Sequence, residues 1–208
     1  MDKKEFDWCV FIGRFQPLHN GHLHVLKQAF DKSDNVLIIL GSSLRFPYIS
    51  TPKNPFSSLA RCILLKRVLV DEMQIPEINF KIEGIPDYFN TTIWANNIIK
   101  IIKNETNGKI AFIDHIKEID SYFKKLYDEY FINSLGPNFK FILLENNYNG
   151  INASEIRERY FLFGEIPKED IIPKTTKQFL ENFVSSETYK KISAFYFMKK
   201  EGFFNDNN

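Results

Sequence analysis

The stretch that decides the fold is WCVFIGRFQPLHNGHLHVLKQAF, residues 8–30. It opens as WCVFIG (8–13), a short apolar run with the character of a buried strand. It closes as GHLHVLKQAF (21–30), whose apolar residues recur at helical spacing. The link between them carries Arg14, Pro17, Asn20-Gly21 and His19. With His22 and His24 just inside the helix, three of the chain's four histidines crowd this one junction. A buried strand that passes into a helix across a short turn is the first half of a βαβ unit.

The alternation continues along the chain. NVLIILG (35–41), INFKIEGI (78–85), KIAFID (109–114) and FKFILLE (139–145) read as further strands. FSSLARCILLKRVLVDEM (56–73), TIWANNIIKIIKN (92–104), EIDSYFKKLYDEYF (118–131) and ASEIRERYFLFG (153–164, ending at Gly164) read as helices. The pattern predicts an α/β fold, a doubly wound five-stranded parallel sheet with helices on both faces. Near-continuous apolar strands are what a sheet covered on both faces requires. Ligands of such sheets bind beyond the carboxyl ends of the strands, where the strand order reverses. After Pro173, TKQFLENFV (176–184) and ETYKKISAFYFMKK (187–200) add two helices, expected as a cap on the sheet or an oligomer contact.

Composition narrows the function classes. The chain has 208 residues, 44% of them hydrophobic, enough to build a sizeable core. Its 27 basic and 26 acidic residues leave a net charge of +1, which gives no extended nucleic-acid footprint. Cys9 and Cys62 sit inside apolar patterns without a C-x-x-C, and are expected as reduced core thiols. MDKKEFDW at the start lacks the apolar segment of a secretory signal, and no apolar run approaches ~18 residues, so a cytoplasmic protein is expected.

The junction has the tools for binding an anion. G-x-x-x-x-G-K-S/T and G-x-G-x-x-G are both absent. Instead Gly13 permits close backbone approach, Arg14 offers a charged fork, and Asn20-Gly21 opens a helix whose first N–H groups favour negative charge. His19 and His22, three apart, lie near one edge of the helix start and can donate to phosphate oxygens. His24 faces elsewhere and reads as structural. A second cluster, GINASEIRERYF (150–161), follows the fifth strand. Asn152 and Glu155 fit a capping box, and Ser154 and Arg157 put a hydroxyl and a guanidinium in the first helical turn.

GRFQPLHNGH (13–22) resembles the H-x-G-H signature of the nucleotidyltransferase superfamily. Its G-R-F-Q-P-x-H-x-G-H form is similar to the nicotinamide-mononucleotide adenylyltransferases of the archaeal type and of the bacterial adenylyltransferase–Nudix fusions. INASEIR (151–157) resembles the second motif, I-S-x-T-x-I-R, with Ser154 at the Thr position and Arg157 at the Arg position. Asn152, where Ser is common, is either a phosphate contact or only the cap. The resemblance implies that Gly13, Arg14, His19, His22, Asn152, Ser154 and Arg157 bind ATP, with His22, His19 and Arg14 catalytic. NPFSSLAR (54–61) and Gly41-Ser42-Ser43 resemble further family segments. Phe15, Ser42, Asn54, Arg45 and Arg61 are expected at the substrate with them, the last two being phosphate contacts or solvated surface. IPDYFNTTIWANNI (85–98) resembles the stretch that holds the mononucleotide. There Asp87 accepts hydrogen bonds, and Trp94 either stacks on a cationic ring or is a core aromatic. Ser121-Tyr122-Phe123 is all that remains of a G-x-x-K-D-x-S-S-Y-Y-like stretch, and His115 and Lys117 receive no role.

The resemblance spans roughly residues 8–165. It implies a nucleotidyltransferase domain over 1–165 with a helical appendage over 166–208, and a homo-oligomer. No Nudix box is present, so that hydrolase activity is not expected, whether the chain stands alone or comes from a fusion. The implied reaction transfers AMP from ATP to nicotinamide or nicotinate mononucleotide, with magnesium carried by ATP and no protein-only metal cage. Two other readings compete. One is a transferase of the same superfamily acting on phosphopantetheine, flavin mononucleotide or glycerol phosphate. The other is a nucleotide-binding regulator that releases no pyrophosphate.

Overall fold

Strand β1 (Phe6–Gly13) is the middle of a parallel sheet, and its alternating side chains enter two different cores. Cys9 and Phe11 point to one face, Trp8, Val10 and Ile12 to the other. The computed structural model describes residues 3–43, 49–115, 122–144 and 150–203. Around β1 lie β2 (Ser33–Leu40), β3 (Phe80–Gly84), β4 (Ile110–His115) and β5 (Phe139–Leu144), in the order β3-β2-β1-β4-β5. Every neighbouring pair is parallel, with Phe11 opposite Ile38, Val10 opposite Phe112 and Phe112 opposite Phe141. The chain runs outward from β1 to β3, then returns to β4 on the other side. The order therefore reverses between β1 and β4, where the carboxyl ends leave a crevice.

The helices cover both faces, as the alternation predicts. Helix α1 (Asn20–Lys32) and helix α2 (Ser58–Arg67) close the face of Phe11 and Ile38. The buried side of α1 is Val25, Leu26, Ala29 and Phe30, a stripe at helical spacing. Helix α3 (Thr91–Glu105) and the segment 122–135 close the face of Val10, Leu37, Ile39 and Phe112. That segment is α4 (Tyr122–Leu126), a π-helical turn (Tyr127–Phe131) and α5 (Ile132–Leu135). The helix expected over 56–73 starts at Ser58, because Ser57 caps it by accepting from Ala60 N–H, and continues past Arg67 as a π-helical turn (Val68–Glu72). The third strand starts later than the sequence suggests, since Glu77–Asn79 form a single 3-10 turn after Pro76.

Helices α6 (Ala153–Phe163), α7 (Lys174–Phe183) and α8 (Glu187–Lys200) build a third cluster. It joins Ile156, Tyr160 and Phe161 of α6 to Leu180, Ile192 and Phe56. Tyr160 donates to the Leu180 carbonyl and Tyr189 donates to the Tyr160 carbonyl. Burial pushes both cysteine thiols, Cys9 and Cys62, above their ordinary pKa, and both are free of disulfides. Among the described residues no helix is long and apolar enough to cross a membrane.

Leu37→Ala tests the central packing. Leu37 is fully buried in the β2 strand, and the truncation should cost about 2–5 kcal/mol, read from the midpoint of urea unfolding.

Candidate active site

The loop after β1 is fastened from three directions. Its backbone turns through Phe15 in the left-handed region, φ 51°, before the cis Gln16–Pro17 bond. Phe15 is 1% exposed and packs edge-on against Phe11, beneath Gly13. A Cβ on Gly13 would stand 2.8 Å from that ring, so glycine at this position makes room for the protein's own phenylalanine. The expectation of Phe15 at the substrate is corrected accordingly, since its side chain belongs to the core and supports the loop.

Gln16 is the residue that sequence reasoning missed. Its buried amide donates to the Phe56 carbonyl at 2.9 Å and accepts from the Phe56 N–H at 3.0 Å. The loop is thereby sewn to the Asn54-Pro55-Phe56 segment. Asn54 itself closes a turn with Thr51 by backbone bonds in both directions. A polar residue between an aromatic and a proline in an otherwise apolar neighbourhood was the available signal for Gln16.

Arg61 is not a solvated surface group. It is 1% exposed, and its Nη1 donates to the carbonyls of Arg14 at 2.6 Å and Gly41 at 2.8 Å. Its Nη2 donates to the Ser42 carbonyl at 3.0 Å. The guanidinium fork matches carbonyls presented by two loops, and the helix carries it there at the first turn of α2. Ser42, at φ 52°, is the second residue held in the left-handed region. Such a conformation costs on the order of 1–2 kcal/mol and persists where its surroundings fix it. Arg61 does so from one side. On the other side Ser42 Oγ donates to Asp87 Oδ1 at 3.0 Å, linking the turn after β2 to the loop after β3. Asp87 is otherwise exposed, and Trp94 packs half-buried on the rim of the second core. Arg45, Lys117 and Ser121 lie outside the described residues.

The histidines meet at the start of α1. His19 is the N-cap, and its ring lies 3.7 Å, centroid to centroid, from that of His22. A Cβ on Gly21 would meet His19 Nδ1 at 3.0 Å, so the pairing of rings uses the second glycine of the motif. His22 Nδ1 accepts from the His19 N–H at 3.3 Å. An accepting Nδ1 carries no proton, so a neutral ring bears its hydrogen on Nε2. The Phe15 ring backs His22 at 4.7 Å. Asn20 is anchored by the 169–171 segment, donating from its backbone to Ile171 and from its side chain to Glu169. His24 is half-buried further along α1.

Helix α6 arrives from the opposite side. Asn152 caps it, accepting from Ser154 N–H at 2.8 Å. Arg157 is 5% exposed, donates from Nη1 to the Gln16 carbonyl at 2.7 Å, and from Nη2 to Ser154 Oγ at 3.0 Å. Burial pushes its pKa down, and the like charge of Arg14 adds to that effect. Arg14 itself is exposed, so the crevice holds one solvated and one buried guanidinium with a pair of imidazoles, a field suited to a polyanion. Among the described residues no three His, Cys, Asp or Glu side chains gather into a metal site.

Two guanidiniums, two imidazoles and a hydroxyl from distant segments, on a parallel sheet that reverses its order between β1 and β4, are the frame of a nucleotidyltransferase. The chain belongs to the cytidylyltransferase-like family, whose model matches residues 10–159. It is 33% identical to the nicotinamide/nicotinic acid mononucleotide adenylyltransferase of Acinetobacter baylyi, over 92% of this chain and 94% of that one. It is 28% identical to the nicotinamide-nucleotide adenylyltransferase of Thermococcus kodakarensis, over 89% of this chain and 88% of that one. A bifunctional NMN adenylyltransferase/ADP ribose pyrophosphatase from Francisella tularensis superposes with a TM-score of 0.78 at 28% identity. The match covers 95% of this chain and 56% of that one, so the chain spans about half of the bifunctional protein.

Gln16→Ala removes both bonds to the Phe56 backbone. Leaving a buried N–H and C=O unmet should cost about 2–4 kcal/mol of stability in urea unfolding.

Proposed function

We infer that the protein is a nicotinamide-nucleotide adenylyltransferase, transferring AMP from ATP to nicotinamide mononucleotide or its nicotinate counterpart with release of pyrophosphate. The observation that carries this reading is the Arg157–Gln16 bond, which puts the second phosphate motif against the first. The names of the A. baylyi and T. kodakarensis relatives support the acceptor.

The nucleophile is an oxygen of the mononucleotide 5′-phosphate. It is already anionic at neutral pH, so no protein base is needed. It attacks the α-phosphorus of ATP, a new P–O bond forms in line, and the bond to the β-phosphate oxygen breaks. Catalysis is positioning and charge neutralisation. His22 donates from Nε2 to the transferring α-phosphoryl group. His19 and Arg14 hold phosphates beside it, and Gly13 keeps the loop backbone close. Ser154 and Arg157 bind the β- and γ-phosphates and the leaving pyrophosphate, with Asn152 setting the helix start. Arg61 and Phe15 act beneath these groups by fixing the loops. Ser42 orients Asp87, which accepts from the mononucleotide, and Trp94 stacks on its pyridine ring.

Magnesium enters as part of the MgATP substrate. A related F. tularensis structure is a complex with AMP and a manganese ion.

Pyrophosphate release from MgATP should depend on a pyridine mononucleotide, and not on phosphopantetheine, flavin mononucleotide or glycerol phosphate. Release with none of these acceptors, or with another one alone, overturns the reading. His22→Ala should lower turnover at least ~100-fold with the fold intact by circular dichroism, the cost of a lost transition-state donor. Asp87→Ala should raise KM for the mononucleotide about tenfold and leave KM for ATP unchanged.

A further inference from the structure

Helix α1 begins on an unusual residue. Its N-cap is His19, and histidine is not among the residues that cap helices well. The first helical residue, Asn20, finds acceptors instead in a segment from the far end of the chain. Its backbone N–H donates to the Ile171 carbonyl at 2.9 Å, and its Nδ2 donates to the Glu169 carbonyl at 2.9 Å. An N–H at a helix start has no partner within the helix, and here a distant stretch of backbone supplies one. Both bonds end on main-chain oxygens, so the path of the segment, not its side chains, meets the helix.

That segment is gripped along its length. It leaves α6 at Gly164, whose N–H closes the helix on the Tyr160 carbonyl. The Lys168 carbonyl accepts from the N–H groups of Ile171 and Ile172 and closes a turn. Ile172 is fully buried in the third cluster, with Tyr160 and Leu180. Beyond it the Glu72 carboxylate accepts from the N–H groups of Lys174 and Thr175, at 3.2 and 2.7 Å. This pins the start of α7 to the π-helical turn after α2. Residues 165–172 therefore act as a strap, fixed at both ends and bonded to α1 in the middle.

What the strap holds is the imidazole pair. His19 and His22 stand on either side of Asn20, and their own bond makes them move with the helix start. The strap begins where α6 ends, and α6 carries Ser154 and Arg157. It is a second tie between the two phosphate motifs, separate from the Arg157–Gln16 bond.

We propose that Asn20 is a positioning residue, through which the 165–172 strap sets where His22 stands against the transferring phosphoryl group. The proposal rests on the reading of His22 as a donor to that group. It gives a task to the chain that follows the second motif. Such control matters because a misplacement of about 1 Å can cost ~100-fold in rate.

The test is a double-mutant cycle on kcat with the full chain: parent, Asn20→Ala, His22→Ala and the double variant. Asn20→Ala removes the side-chain bond and keeps the backbone one. It should lower kcat about tenfold, with KM for ATP and for the mononucleotide within about twofold of the parent. In the His22→Ala background the same substitution should change kcat by less than about twofold, because the group it positions is gone. A role in stability alone would lower the melting temperature in both backgrounds and leave the kcat of folded enzyme unchanged. Lys177→Ala breaks the exposed ion pair with the Glu169 carboxylate, leaves the Glu169 carbonyl in place, and should keep the parent kcat. Ile172→Val loosens the strap with Asn20 intact. It should give a smaller loss of kcat that also disappears without His22, and it carries the test should Asn20→Ala not fold. Unchanged kcat in Asn20→Ala, or equal losses in both backgrounds, overturns the proposal. A His22→Ala protein as fast as the parent overturns the reading of His22 itself, an outcome the cycle keeps apart from the other two.

Discussion

A single carbonyl, that of Gln16, is where the two halves of the site are joined. It accepts from Arg157, while the side chain of the same residue grips the Phe56 backbone. The loop after β1 is thus defined by a strand, a helix from the far end of the chain, and a segment between them. Without these fastenings the loop would have to keep Phe15 at positive φ on local preference alone, which a non-glycine residue does not do cheaply. The position of the imidazoles follows, because Phe15 backs His22 and His22 caps the His19 N–H.

Two arginines are buried here for different ends. Arg61 spends its fork on carbonyls and serves as a bracket between loops. Arg157 shares its donors with one carbonyl and one hydroxyl, and sits beside a like charge. The first arrangement is electrostatically settled by backbone dipoles. The second leaves a buried cation whose charge is opposed by burial and by Arg14.

Much of this was legible before the structure. Strand and helix periodicity located every element of the sheet, because doubly covered strands must be apolar along their whole length. The spacing of His19 and His22, and of Ser154 and Arg157, put each pair on one helix start, because short-range geometry fixes which side chains share a helical turn. What stayed hidden depends on contacts across long stretches of chain. Arg61, at the first turn of a helix, is indistinguishable by sequence from a solvated cation; only the approach of two loops buries it. Phe15 lies inside the motif and reads as part of the binding surface, but the absent side chain of Gly13 lets its ring turn inward. Tyr196 sits in a run of aromatics with no pattern to single it out, and its stack on Phe161 appears only once α8 is folded back on α6.

That folding back has a kinetic meaning. The strands all end by Leu144, whereas the ties that shape the site span most of the chain: Gln16 to Arg157, Asn20 to Glu169, Pro52 to Tyr196. Contacts of such high sequence separation are the slowest to close and the last to be rewarded. A polypeptide emerging from the ribosome can lay down its sheet well before these ties can close. The sheet can therefore form from contacts near in sequence, while the loop after β1 takes its shape only when residues some 140 positions further on have folded against it.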